Sequence, residues 1–178
     1  MMLDYGAMYS QMHKSDKAFR GNSIKAGVTD IADLVRAHRP RRIIDYGCGK
    51  GRQYTEHRVH DAWGGLMPDL YDVGVAEYSR APVGPFDAAI CTDVMEHIDE
   101  PDVDAVLADI FGLLPPRDDG GVSFAYFYIC CRPAARKTLP DGRNVHLCVK
   151  APEWWHARLG AFDRPGLVIA TGFDGDGA

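Results

Sequence analysis

The chain has 178 residues, 46% of them hydrophobic and 25% charged, and a formal net charge of −5. That length and composition suit one globular domain around one core, and the negative balance removes the general attraction to polyanions on which duplex nucleic-acid binding rests, so a duplex is not an expected partner. No apolar run approaches the roughly 20 residues that span a bilayer, and the start, Met1-Met2-Leu3-Asp4-Tyr5, has neither a basic region nor an apolar stretch. A membrane partner is therefore not expected and a cytoplasmic location is. The five cysteines, Cys48, Cys91, Cys130, Cys131 and Cys148, are odd in number and sit mostly in apolar or motif segments, which fits reduced thiols rather than a disulfide framework.

Residues 1–21, rich in Tyr, Met, His and Lys without a clean period, read as an irregular arm or a short helix. Beyond them Ile24, Val28, Ile31, Leu34 and Val35 recur at helical spacing, with Asn22 or Ser23 to cap and Pro40 to stop. Arg42-Ile43-Ile44-Asp45-Tyr46 is a short apolar run entering a glycine cluster, the pattern of a buried strand that turns tightly into a helix over 52–60. Strands are expected over 66–73 and 86–92, and in the second of these Ala88, Ala89, Ile90 and Cys91 suit burial on both faces. Pro101 opens a helix whose stripe of Val103, Val106, Leu107, Ile110, Leu113 and Leu114 ends at Pro115-Pro116. A long β-like run over 122–131, a helix over 152–159 opened by Pro152, and a strand over 167–171 complete the series. In the helix, Trp154-Trp155 reads as packing against the sheet with one ring half exposed.

Strands alternating with helices predict an α/β fold, a mostly parallel sheet with a ligand crevice at the strand carboxyl ends. The expected organisation is an N-terminal arm over 1–21 that helps close the crevice, one domain over 22–171, and a glycine-rich tail over 172–178 that frays.

The densest chemical signal is Asp45-x-Gly47-x-Gly49-x-Gly51 directly after an apolar strand, where the glycines let backbone approach a ligand that any side chain would exclude. It is not a dinucleotide fingerprint, because the third glycine comes one residue early and Arg52 stands in its place, and a phosphate loop ending in Gly-Lys-Ser/Thr is absent. A carboxylate at Asp45 repels a pyrophosphate and favours a ligand carrying ammonium and sulfonium charge. Asp72, after the second strand, is placed to accept hydrogen bonds from ribose hydroxyls.

With Ile43-Ile44-Asp45-Tyr46-Gly47-Cys48-Gly49-Lys50-Gly51 and Phe86-Asp87-Ala88-Ala89-Ile90-Cys91-Thr92-Asp93-Val94-Met95-Glu96-His97-Ile98, the chain resembles class I S-adenosylmethionine-dependent methyltransferases. The second segment matches a family pattern ending in Leu-Glu-His-Ile, with Met95 in place of Leu. The resemblance implies a three-layer Rossmann-like methyltransferase sheet over residues 22–171 and S-adenosylmethionine as cofactor. Asp45, Gly47, Cys48 and Gly49 would hold its methionine portion, Asp72 its ribose, and the turn from Cys91 through Thr92 and Asp93 to Val94 its inner face. One departure stands out, because only residues 73–85 lie where the family fits a helix, a third strand and an acid for the adenine amino group. That strand must be shortened or missing, and no motif names an adenine-binding residue. Arg52-Gln53-Tyr54, Ala62-Trp63-Gly64-Gly65 and Lys137-Thr138-Leu139-Pro140-Asp141-Gly142-Arg143-Asn144 are in addition similar to methyltransferase-like proteins of phages and bacteria, a resemblance that brings no substrate with it.

Candidates for chemistry at the acceptor are His146, His97 and Asp93, with Glu96 beside them, all at or after the carboxyl ends of expected strands. A methyl acceptor must be deprotonated or desolvated before attack, and a histidine near its ordinary pKa of about 6.5 can assist. His97 alternatively orients the following helix, and an acceptor atom that is already nucleophilic needs no base. Residues 132–150 hold Arg132, Arg136, Lys137, Arg143 and Lys150 against Asp141 alone, whereas residues 93–109 are acidic without a Lys or Arg. The expected partner is thus a small-molecule acceptor, anionic, or a modified nucleotide. The other reading of the same pocket is a module that binds the cofactor without catalysis. No metal is expected, since His57 and His60 lack companions at ligand spacing and no Cys-x-x-Cys occurs.

Overall fold

The computed structural model describes residues 4–13, 23–135, 137–139 and 141–174. Five strands, β1 (Ile43–Tyr46), β2 (Asp69–Tyr71), β3 (Ala88–Thr92), β4 (Ser123–Cys130) and β5 (Leu167–Asp174), form one sheet in the order β2-β1-β3-β4-β5, every neighbouring pair parallel. The helices are α1 (Tyr5–His13), α2 (Val28–His38), α3 (Arg52–Thr55), α4 (Val103–Gly112) and α5 (Pro152–Gly160). The α/β class and the Rossmann-like layering expected from the sequence are what the chain adopts. β2 lies at the sheet edge and no strand occurs between it and β3, so the third strand of the family pattern is missing.

Side-chain alternation sorts the core onto the two faces of the sheet. Ile44, Tyr46, Ala89, Cys91, Ala125 and Phe127 pack on one side with α4 and α5, while Ile43, Ala88, Ile90, Phe124 and Tyr126 pack on the other with α2, Tyr54 and Trp63. β1 and β3 are buried along their whole length, as expected of central parallel strands with helices above and below. Trp155 on α5 is fully buried and Trp154 lies at its edge under the Arg158 guanidinium, 4.7 Å from the ring centroid, the packing arrangement rather than a substrate stack.

Several bounds differ from expectation for physical reasons. The helix expected over 52–60 is a single turn, because Arg58 takes a left-handed conformation and breaks it before a 3-10 turn over Val59–Trp63. β2, expected over 66–73, is limited to Asp69–Tyr71. The tail expected to fray from residue 172 instead continues β5 to Asp174, paired with β4 as far as Cys130, while residues 175–178 lie outside the described residues. The arm contains α1, whose aromatic face joins the α4 side of the core through Tyr5 and Tyr9; residues 1–3 and 14–22 lie outside the described residues.

Candidate functional site

The strand carboxyl ends open into one cavity of about 1120 Å³, enough for a nucleoside-sized ligand and a second molecule. Its first half is built on the glycine turn. Gly47, Gly49 and Gly51 all have positive φ, and a Cβ at Gly47 would lie 2.3 Å from Val94 Cγ2, so the turn can pass β3 only without side chains. The Gly47 and Cys48 N–H groups donate to the Tyr71 carbonyl at 2.7 and 3.0 Å, which ties the turn to the end of β2. Asp72 then completes the clasp: its Oδ2 accepts from the Gly49 N–H and its Oδ1 from the Gly74 N–H, both at 2.8 Å, with His13 Nε2 of α1 at 3.5 Å. Gly47, Gly49 and Asp72 all line the cavity.

Asp45 and Cys48, named with them from sequence, lie behind the wall rather than on it. Asp45 is 1% exposed and its Oδ2 accepts from Gln53 Nε2 and the Tyr54 hydroxyl, each at 2.8 Å. That placement has a physical cause, since the strand's alternation turns Asp45 to the face covered by α3. Burial raises its pKa to about 7 despite those two donors, and Oδ1 has no donor among the described residues. Cys48 is buried and its thiol is pushed well above the usual range, chiefly by desolvation and then by Asp45. Both residues shape the turn from below.

The second half of the cavity lies at the ends of β3 and β4. Thr92, buried at the end of β3, meets Ser23 through its side-chain oxygen at 3.0 Å, and both line the cavity. Asp93 follows with φ of +54°, a left-handed conformation that aspartate tolerates at a cost, its N–H donating to the Tyr128 carbonyl at 2.9 Å. Burial raises the Asp93 pKa, and the neighbouring carboxyl of Glu96 is raised well above its ordinary value, first by complete burial and then by Asp93. His97 donates from Nδ1 to the Val145 carbonyl at 2.9 Å and stays neutral, its pKa lowered to about 3 by burial and by His146.

His146 arrives from a loop that Asn144 holds in place. Asn144 donates to the Ala134 carbonyl at 2.9 Å and accepts from the Ala134 and His146 N–H groups at 3.1 and 2.9 Å, and Val145 beside it is fully buried. The His146 ring donates from Nδ1 to the Arg132 carbonyl at 2.7 Å and meets the His97 ring edge to face, centroids 4.8 Å apart. All three catalytic candidates, Asp93, His97 and His146, thus line the same wall. Spacing suggested no metal ligands, yet Glu96, His97 and His146 each bring a ligand atom within 4.8 Å of the others. The basic loop is more neutral than its composition: Arg132 pairs with Asp174 at 2.7 Å, Arg143 with Asp141 at 2.8 Å and Lys150 with Glu100 at 2.7 Å. Arg132 and Lys137 reach the cavity, and Arg136 lies outside the described residues.

α1 lines one side of the cavity. Its Tyr5 hydroxyl donates to Asp102 Oδ2 at 2.7 Å, its Tyr9 hydroxyl donates to the His97 carbonyl at 2.9 Å, and Tyr5, Tyr9 and His13 line the wall. A Cβ at Gly74 would lie 2.7 Å from His13 Cδ2 and 2.8 Å from Tyr9 Cβ, so the close seat of α1 depends on that glycine. Sequence reasoning missed Ser23, Tyr46, Tyr71, Asp109 and Asp174 as cavity residues. Tyr46, next to the glycine turn and hydrogen-bonded to Asp109 at 2.7 Å, had a signal in its motif position, whereas Asp109 and Asp174 had none.

Among the described residues no helix is long and apolar enough to cross a membrane. No curated protein and no solved structure matches the chain. A family described as a methyltransferase domain matches residues 17–159, from the arm to the penultimate residue of α5, and takes in both halves of the cavity. With a match over most of its length and a parallel Rossmann-like sheet beneath the glycine turn, the chain belongs to the class I S-adenosylmethionine-dependent methyltransferase family.

Proposed function

We propose that this chain transfers the methyl group of S-adenosylmethionine to a small molecule that carries an anionic group. The observation that carries the reading is the continuity of one cavity from Gly47, Gly49 and Asp72 to Asp93, His97 and His146. On the first side the residues fit the cofactor: side-chain-free backbone gives a nucleoside room to approach, and a carboxylate with about four acceptor positions can keep the Gly49 and Gly74 N–H groups while receiving ribose hydroxyls. Acids at Asp72 and Asp93 favour a cationic ligand. When bound, the cofactor supplies a methyl group made electrophilic by its sulfonium.

The chain's own residues position and activate the acceptor. Lys137, on the cavity wall, attracts its anionic group. Because His146 donates from Nδ1 to a carbonyl, Nε2 is its basic nitrogen and accepts the acceptor's proton. His97, neutral and buried, fixes the ring of His146 from below. α1 excludes water from the cavity, which strengthens the electrostatics inside it.

Calorimetry with S-adenosylmethionine, S-adenosylhomocysteine and NAD tests the cofactor, and mass spectrometry of what copurifies with the protein tests turnover. Binding of the first two and not of NAD is expected, with the demethylated product recovered. Tighter binding of NAD, or an affinity for S-adenosylmethionine that Gly49→Val leaves unchanged, would reject the reading.

A further inference from the structure

Glu96 is wholly buried: its Oε1 accepts from the Cys130 N–H at 3.2 Å, and its Oε2 has no donor among the described residues. A buried carboxylate oxygen without a donor is costly, and the side-chain hydrogen-bond partner of Glu96 is a second acid, Asp93, which raises its pKa further instead of relieving the charge. The two imidazoles nearest to it, His97 and His146, both spend Nδ1–H on a backbone carbonyl, of Val145 and of Arg132 respectively. That tautomer puts the lone pair of each ring on Nε2, and a carbonyl-held Nδ1–H is the support that metal-bound histidines have. One ligand atom from each of the three residues lies within 4.8 Å of the others.

We propose that Glu96, His97 and His146 form a site for a divalent transition metal of the Zn²⁺ type, bound through Glu96 Oε2, His97 Nε2 and His146 Nε2. Two imidazoles and one carboxylate select Zn²⁺ and similar borderline ions over Mg²⁺ and Ca²⁺, which take oxygen ligands. Three protein ligands leave a fourth position, and His97 and His146 face the cavity, so that position opens toward the acceptor. Tetrahedral binding needs ligand atoms about 3.4 Å apart, so atoms that lie within 4.8 Å of one another must draw together, a side-chain rotation in a cluster where His146 is carried by a loop. With the ion in place, an acceptor oxygen at the fourth position is polarised, and His146 serves as a ligand in place of the base role it has without the ion.

The site goes beyond methyl transfer and is measured without the cofactor, so the two readings fail separately. Protein stripped with a chelator is titrated with ZnCl₂ by calorimetry and with Co²⁺ by visible absorption, and circular dichroism confirms that each variant is folded. One equivalent is expected to bind, with the Co²⁺ bands of a four-coordinate site. His146→Ala and Glu96→Gln should each weaken binding by more than the roughly 10- to 100-fold that loss of a supporting partner costs, while His60→Ala, outside the cluster, changes nothing. Absence of stoichiometric binding by the folded protein overturns the proposal. So does binding that both cluster variants retain at full affinity, which would place the ion on the cysteines or elsewhere.

Discussion

At the ends of β1 and β2 the cavity wall includes the side-chain-free turn of Gly47 and Gly49, whereas at the ends of β3 and β4 it carries a cluster of ionisable side chains. The first wall joins a four-residue strand and its turn to one acid, at the end of the neighbouring strand, that hydrogen-bonds the turn. The second gathers Asp93, Glu96 and His97 with His146 from another loop, Arg132 from the end of β4 and Asp174 from the end of β5. A backbone wall suits recognition of a ligand common to a whole family. A wall of assembled side chains suits the part of the reaction that distinguishes one acceptor from another, because its members can change without disturbing the turn.

The largest expected effect falls on the second wall alone. His146→Ala should lower the turnover rate by roughly 10²- to 10⁴-fold, the usual worth of a positioned acid–base group, with S-adenosylmethionine affinity unchanged. Single-turnover kinetics alongside calorimetry separates the two quantities, and a parallel loss of cofactor affinity would show that the halves are not independent. Beneath the first wall, Asp45 holds a proton in the folded chain up to about pH 7, whereas the unfolded chain releases it near pH 3.9. Between those values the folded state binds more protons, so stability falls as pH rises through that window and the loss is complete above it. Asp45→Asn removes this decline, and its stability relative to the parent should grow by about 1.4 kcal/mol per pH unit from pH 4 to pH 7 in urea titrations. A constant difference across that range would mean that Asp45 is not desolvated.

Asp72→Ala should weaken cofactor binding by roughly 1.5–3 kcal/mol, the range for hydrogen bonds to a charged group, and leave the chain folded. A cofactor complex with its ribose more than about 4 Å from this carboxylate would reject the assignment, as that exceeds hydrogen-bond reach. The smallest effect concerns α1. Deleting residues 1–20 should reduce cofactor affinity while leaving the circular-dichroism spectrum nearly unchanged, and Gly74→Val should mimic it by unseating α1. Unchanged affinity in both would leave Tyr5 and Tyr9 with a packing role only.

The first wall was legible because its constraint is local. Glycines at alternate positions after an apolar run announce a turn with positive φ, and an acid at the end of the next strand follows from the parallel register of β1 with β2. Even there alternation mattered, since it sends Asp45 to the α3 side and leaves Gly47 and Gly49 on the wall. Asp93 and His97 were visible through the strand they follow, whereas the clustering of Glu96 with His146 was not, because the contact crosses a loop whose course Asn144 and Val145 set.

By itself, the sequence determined the α/β alternation, a third strand either shortened or missing after Asp72, and the glycine turn, all of which rest on short-range periodicity, segment length and backbone conformation. Only the tertiary structure decided that β5 runs to Asp174, that the basic loop spends its charges on Asp174, Asp141 and Glu100, and that two histidines and a buried glutamate meet. Those outcomes depend on which distant groups desolvate one another, and spacing along the chain does not carry that information.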